Sequence, residues 1–390
     1  MSAASDVAPL PGGTVLPPMT LRDRFLAWRD RVVARPGFRQ AVARFPLTRG
    51  VARAQARGLF DLIAGFVYSQ VMLASVRLGL FDLLAKGPLT TADIARRVDL
   101  PEDAAEQILA AGAALGLFGR RSGGRWGLGL RGAVMVGNAA LAGMIEHHAM
   151  LYADLADPVA MLRGARGGQS LAAYWAYAQA EAPGSLEPGK VAAYSGLMAA
   201  SQPLVAAEVL DAVDVARFRC LLDVGGGEGA FLIEAAARAP ALRLMLFDLP
   251  GVADRARLRF ATAGLVGRAE AVGGDFSRDA LPEGADAISL VRVIHDHDDA
   301  LAMRILVAAH RALPPGGTLI LAEPMAGTRG AEAMGDAYFG FYLRAMGSGR
   351  PRRAAELQAM LRQAGFASTR QVSTATPIVT GVLLARKDNA

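Results

Sequence analysis

Cysteine is almost missing. Cys220 is the only one in 390 residues, so a disulfide framework and any cluster held by several thiolates are excluded. A reducing, cytoplasmic compartment fits that scarcity. Lysine is nearly as rare, three against 39 arginines within a formal charge of +6. With abundant Ala and Gly, this bias reads as genome composition more than function. Long apolar runs are lacking too. Leu62 to Val76 is uncharged for 15 residues between Asp61 and Arg77, short of the roughly 20 that a membrane span needs. Val191 to Ala207 is interrupted by Ser195, Ser201, Gln202 and Pro203. The N-terminus has no basic start followed by an apolar block, so no secretory signal is expected. A soluble or peripheral protein is expected. Hydrophobic residues at 53% and charged residues at 20% exclude extensive disorder, and the length allows two or three domains.

Four regions follow from the texture of the chain. Residues 1–58 read as a flexible tail with four prolines, then Arg-rich amphipathic helices broken at Pro36 and Pro46. Ten arginines fall between Arg22 and Arg57, opposed only by Asp23 and Asp30. Leu21, Phe25, Trp28 and Val32 recur among them at helical spacing. Packing on the body or a partner chain is one reading of this stretch, and peripheral contact with an anionic membrane is the other. Residues 59–132 read as a winged helix-turn-helix, with a Thr cap, two short helices and a wing turning at Gly123 and Gly124. With Arg96, Arg97, Arg120, Arg121 and Arg125, such a unit on its own also suits a DNA-binding regulator. Residues 133–216 are helical and rich in Ala, Met and Tyr. From 217 to 390, apolar runs without polar alternation (CLLDV, LRLMLFD, AISLVRVI, TLILAE) alternate with helical stretches. Such strands are buried on both faces, which predicts an α/β domain with a mainly parallel sheet.

That domain opens with LLDVGGGEGAFL, a strand, a glycine loop at Gly225, Gly226 and Gly227, and a helix. A glycine loop alone also satisfies a dinucleotide fingerprint, so a nicotinamide enzyme stays open. Asp223 and Glu228 beside the loop disfavour a pyrophosphate and suit a cationic ligand with an ammonium and a sulfonium, which describes S-adenosylmethionine. Asp248, followed by Leu249, ends the second strand, and Asp275, followed by Phe276, follows the third. In an open parallel sheet these strand ends line one crevice, although either acid can instead cap the helix that follows. The fourth strand leads into VRVIHDHDD, which puts His295 at the same rim. Histidine is the side chain best matched to removing a proton at neutral pH; the alternative is a helix-cap residue satisfied by the neighbouring aspartates. Glu323, ending the fifth strand, is the candidate to hold its other nitrogen. His297 reads as a neighbour and His310 as a residue on an exposed helix face. His147 and His148 read as core or surface residues, with a place in a substrate cavity as the alternative. No spacing fits a metal site.

Together, DVGGGEGAF, FDLP, GGDF, VIHDHDD, ALPPGG and LILAEP are similar in order and spacing to the S-adenosylmethionine-dependent O-methyltransferases of the plant caffeate and bacterial hydroxyneurosporene type. The resemblance covers about residues 59–387. It implies a Rossmann-like seven-stranded sheet whose last strand is antiparallel, and a winged-helix domain that forms a homodimer and binds no nucleic acid. It assigns cofactor contacts to Asp223, Gly225, Gly226, Gly227, Asp248, Leu249, Asp275 and Phe276. Arg292 takes a position where the family often has lysine near the cofactor. His295 matches the general base and Glu323 its orienting acid. Many relatives carry a second Glu where this chain has GRPRRAAEL, so whether two carboxylates hold His295 stays open. The Arg-rich extension and DAYFGFYLRAMGSGRPR resemble the purple-bacterial enzymes that methylate the tertiary 1-hydroxyl of acyclic carotenoids of the demethylspheroidene and hydroxyneurosporene type. Met144, Met150, Met161, Met334 and Met346, with Tyr152, Tyr338, Phe339, Phe341 and Tyr342, would give such an acceptor an adaptable apolar cavity. Another lipophilic acceptor, a tetrapyrrole or a polyketide phenol, is the alternative.

Overall fold

The structure is a computed structural model that describes residues 19–164, 171, 202–377 and 380–389. Almost all of the expected N-terminal tail and most of the run 191–207 lie outside the described residues. The chain divides into one unit ending at Ala74 and another from Ser75 onward.

In the first unit, Thr20 opens helix α1 (Leu21–Ala34) with a capping box. Its hydroxyl accepts the Asp23 N–H at 3.2 Å, and the Asp23 carboxylate accepts the Thr20 N–H at 3.0 Å. Pro36 starts α2 (Pro36–Arg44), where its missing N–H costs nothing. Helix α3 (Arg49–Arg77) then runs for 29 residues straight through Gly58. By length and composition alone α3 can cross a membrane, with mean hydropathy of 1.6 over an 18-residue window. The 15-residue uncharged run inside it did not suggest this, because it stops at Asp61 and the helix does not.

The second unit begins with α4 (Leu80–Ala85), β1 (Leu89–Thr90), α5 (Thr91–Val98), α6 (Glu102–Ala114), β2 (Phe118–Arg121) and β3 (Arg125–Leu128). The strands form an antiparallel sheet in the order β1-β3-β2. Leu80, Ile94, Leu109, Phe118 and Trp126 fill its core. Most of the arginines that suggested a DNA reader, although exposed, are tied to partners within this unit. Arg96 pairs with Asp93, Arg120 binds Glu106 and covers the Trp126 ring, Arg121 donates to Leu128 O, and Arg125 donates to Ser122 O. Helices α7 (Leu130–Ala133), α8 (Ala139–Asp154), α9 (Pro158–Leu162) and a helical stretch over 202–212 follow.

The large sheet contains β4 (Cys220–Val224), β5 (Arg243–Asp248), β6 (Ala269–Gly273), β7 (Ala287–Val291), β8 (Thr318–Glu323), β9 (Ser368–Val372) and β10 (Gly381–Arg386). Its order is β6-β5-β4-β7-β8-β10-β9, with β10 antiparallel to both neighbours and β4 to β8 parallel. Every residue of β4 and β7 is buried. Leu221, Leu244 and Leu246 pack on one face with Phe231 and Phe260, from α10 (Ala230–Arg238) and α11 (Pro250–Thr262). Leu222, Ile288 and Leu319 pack on the other with Ile305 and Leu361, from α12 (Asp299–Ala312) and α14 (Ala354–Gln363). The unbroken apolar runs are the signature of this double cover. Helix α13 (Phe339–Met346) follows a π-helical turn over Ala333–Tyr338. His310 is half-buried, edge-on to Phe366 at 5.0 Å, so its helix face is packed rather than exposed. Strand order reverses between β4 and β7, and that switch point opens a crevice at the strands' carboxyl ends.

Candidate active site

The glycine loop after β4 shapes one wall of the crevice. Gly225 has φ +69°, and a Cβ there would lie 2.9 Å from Val293, while Phe276 stands just behind. A Cβ on Gly226 would come within 2.4 Å of the Asp223 carboxylate. Loop, Asp223, Val293 and Phe276 therefore close on one another, and only glycine fits. Asp248 accepts from Gly227 N at 2.8 Å and from Leu249 N at 2.7 Å, so it braces the loop from β5. Asp275 closes a turn, accepting from Ser277 N at 2.8 Å. Arg292 holds a left-handed backbone at φ +58° and donates its N–H to Ala322 O, just beyond β7. Such a conformation is costly for a non-glycine residue and clusters at functional sites.

Asp223 is the most informative group in the loop. One oxygen accepts the Ser289 hydroxyl at 2.6 Å, and the other is buried without a hydrogen-bond partner. Burial, with Asp248 nearby, pushes its pKa up to about 7 although Ser289 opposes this. Burial likewise raises Asp248 to about 6. Two such acids under a glycine loop fit a ligand that brings positive charge and hydrogen-bond donors, as S-adenosylmethionine does. Glu228 plays no part in that balance. It is paired with Arg255 at 3.1 Å and Arg259 at 3.3 Å on α11, so the loop's second acid is neutralised from behind.

His295 lies in a 3-10 turn between β7 and α12, and its side chain is buried. Its Nδ1 is 2.5 Å from Glu323 Oε2 at the end of the neighbouring β8. The other Glu323 oxygen accepts the N–H groups of Val293 at 3.1 Å and Ile294 at 2.7 Å. One carboxylate thus fixes both ring and backbone. Asp296 brings a second carboxylate, 3.0 Å from Nε2. The site therefore has two acids around the imidazole, the second from the adjacent residue and not from the segment before the final helix. Burial pulls the His295 pKa down, but Asp296 and Glu323 more than offset it, and the value stands above that of ordinary histidine. His297 is edge-on to Phe276 at 5.4 Å, and burial lowers its pKa to about 4.

The segment after α13 straps this turn in place. Arg352, almost fully buried, donates to Ile294 O and His297 O at 2.8 Å each and to Asp299 at 2.9 Å. Arg350 N donates to His295 O at 2.9 Å. The spacing of GRPRR gave no sign of this buried arginine. On the other side, Phe339 meets the His295 ring edge-on at 5.8 Å. Tyr338 and Tyr342 continue this aromatic wall and bind His148 at 2.6 Å and His147 at 2.8 Å. His147 is thus a buried partner of Tyr342 and His148 a half-buried partner of Tyr338, and burial lowers His147 to about 4. Met150, Met161 and Met346 pack in the same cluster, whereas Phe341 is exposed.

Comparison with known proteins shows the family. Residues 152–367 match the model of an O-methyltransferase domain, and residues 60–142 that of an O-methyltransferase dimerisation domain. The chain is 43% identical to demethylspheroidene O-methyltransferase of Cereibacter sphaeroides over 89% of its own length and 91% of that protein. It is 30% identical to acetylserotonin O-methyltransferase of Rattus norvegicus, over 80% and 72%. Human N-acetylserotonin methyltransferase, solved in complex with SAM, superposes with a TM-score of 0.72 at 25% identity, covering 86% of this chain and 98% of that one. The chain belongs to the S-adenosylmethionine-dependent O-methyltransferases.

Proposed function

We propose that this enzyme methylates the tertiary 1-hydroxyl of an acyclic carotenoid of the demethylspheroidene or hydroxyneurosporene type, with His295 as general base. The observation that carries the chemistry is the buried His295–Glu323 pair, set at the rim of β7 and β8 beside the glycine loop. S-adenosylmethionine supplies an electrophilic methyl group on a cationic sulfur. His295 Nε2 takes the acceptor's hydroxyl proton as the oxygen bonds to the methyl carbon and the carbon–sulfur bond breaks, the pair of electrons leaving with sulfur as neutral S-adenosylhomocysteine. Acceptor binding replaces the contact between Nε2 and Asp296. Glu323 keeps Nδ1 protonated and the ring oriented, and both carboxylates then stabilise the imidazolium. An aliphatic alcohol is far less acidic than a phenol, so a histidine made more basic suits it. A positioned base contributes about 10²–10⁴-fold, and holding the reacting atoms in line contributes up to about 7–11 kcal/mol.

The acceptor class is supported by the 43% identity to a demethylspheroidene O-methyltransferase. The half-buried rings of Tyr338 and Phe339, the latter edge-on to His295, suit a polyene. On this reading residues 59–132 form a homodimer, 133–216 (of which 165–170 and 172–201 lie outside the described residues) are assigned to the acceptor pocket, and 217–390 bind the cofactor at Asp223, Gly225–Gly227, Asp248, Leu249, Asp275, Phe276 and Arg292. A polyene alcohol resides in a bilayer, and the enzyme meets it as a peripheral protein. Incubation with methyl-labelled cofactor and a panel of acceptors tests the assignment. The 1-hydroxycarotenoid should gain one labelled methyl in preference to phenols and chlorins. Preferential methylation of a phenol or a chlorin would overturn it.

A further inference from the structure

None of the side chains at the candidate site precedes Ser75, yet that stretch holds the densest positive charge in the chain. Around α1, at 3.6 residues per turn, Leu21, Phe25, Trp28 and Val32 form one stripe. Arg24 and Arg31 border it on one side and Arg22 and Arg29 on the other, while Asp23 and Asp30 lie opposite. Leu21 is 85% exposed, Phe25 59% and Trp28 55%, with the two rings 5.8 Å apart. On and just after α2, Phe38 and Phe45 are exposed among Arg35, Arg39 and Arg44.

We infer that this face lies in the plane of an anionic bilayer surface, its rings at the headgroup boundary and its guanidiniums on lipid phosphates. Charge selects the occupant. Of the two nearby acids, Asp23 is engaged with Thr20 and Asp30 with Arg29 at 2.7 Å, so the other nine arginines of residues 22–57 are exposed with little opposition. A second copy would set the same cations against themselves. A nucleic acid would satisfy the arginines but not the apolar stripe between them. Cations on both borders of a stripe let each stem run along the apolar surface and lift its charge to a phosphate. The carotenoid reading explains what docking achieves, access to a water-insoluble acceptor, but docking itself needs no acceptor.

Flotation of the full chain with phosphatidylcholine vesicles, with and without phosphatidylglycerol, tests the inference. The protein should float with the anionic vesicles only, and added salt should release it. Phe25→Ser with Trp28→Ser should cut the bound fraction by about tenfold or more while cofactor binding, measured calorimetrically, stays intact. Trp28→Phe should bind like the wild type but lose the quenching of its fluorescence by bromine-labelled acyl chains. No flotation, equal flotation of the serine variant, or vesicle-independent binding to duplex DNA in its place would overturn it. If docking fails while a carotenoid alcohol in detergent is still methylated, only the surface assignment falls. If docking holds and that alcohol is not methylated, only the acceptor assignment falls.

Discussion

His295 and Asp223 are both buried ionisable groups, and their surroundings move their titrations in ways that function should register. His295 must be neutral to accept a proton, and its carboxylate neighbours raise its pKa above the ordinary 6.5. Turnover should therefore fall as pH drops through that raised value. Asp296→Asn removes one of the groups that raise it, so the acidic limb of kcat/KM should move to lower pH, and an unmoved limb would contradict the assignment. Asp223, with a pKa of about 7, is largely protonated below neutrality. Binding a cation there releases that proton, so affinity for S-adenosylmethionine should weaken by up to about tenfold per pH unit below about 7. Asp223→Asn should bind more weakly and abolish this slope in calorimetric titrations. His295 and Glu323 were legible in the sequence because strand ends in a parallel sheet converge. The role of Asp296 was not, because the acids crowding IHDHDD gave no sign of which one turns toward the ring. Glu228 misled for the opposite reason, since its partners Arg255 and Arg259 lie a whole strand away in the chain.

At the scale of elements, the 3-10 turn bearing His295 is held by a strap rather than by its own helix. Gly349 has φ +77°, and a Cβ there would lie 2.1 Å from His295 O. Gly349→Ala should push the turn off Glu323 and lower kcat more than it changes cofactor affinity. Arg352→Ala strands one buried and one half-buried carbonyl and should cost about 2–4 kcal/mol of stability, read by denaturant unfolding. A strap of this kind pairs residues some 55 positions apart, which no local periodicity records. The same holds for the His147–Tyr342 and His148–Tyr338 pairs. Sheet strands, helix caps and the breaks at Pro36 and Pro46 were legible because each depends on neighbours in sequence. The edge placed at residue 58 falls inside α3, because glycine, arginine and a change of composition there do not stop a helix.

For the molecule as a whole, the dimerisation-domain match over residues 60–142 predicts a particle of twice the 40.7 kDa chain mass in light scattering. On the proposed reading, a buried, carboxylate-flanked histidine makes the crevice at the strands' carboxyl ends a site of methyl transfer to a greasy alcohol. The comparison that tests it most directly pits wild type against His295→Ala, with deuteromethyl-labelled cofactor and a 1-hydroxycarotenoid, product formation followed by mass. Turnover should be lower by about 10²–10⁴-fold in the variant, with cofactor affinity nearly unchanged. Turnover within a few-fold of wild type would contradict it.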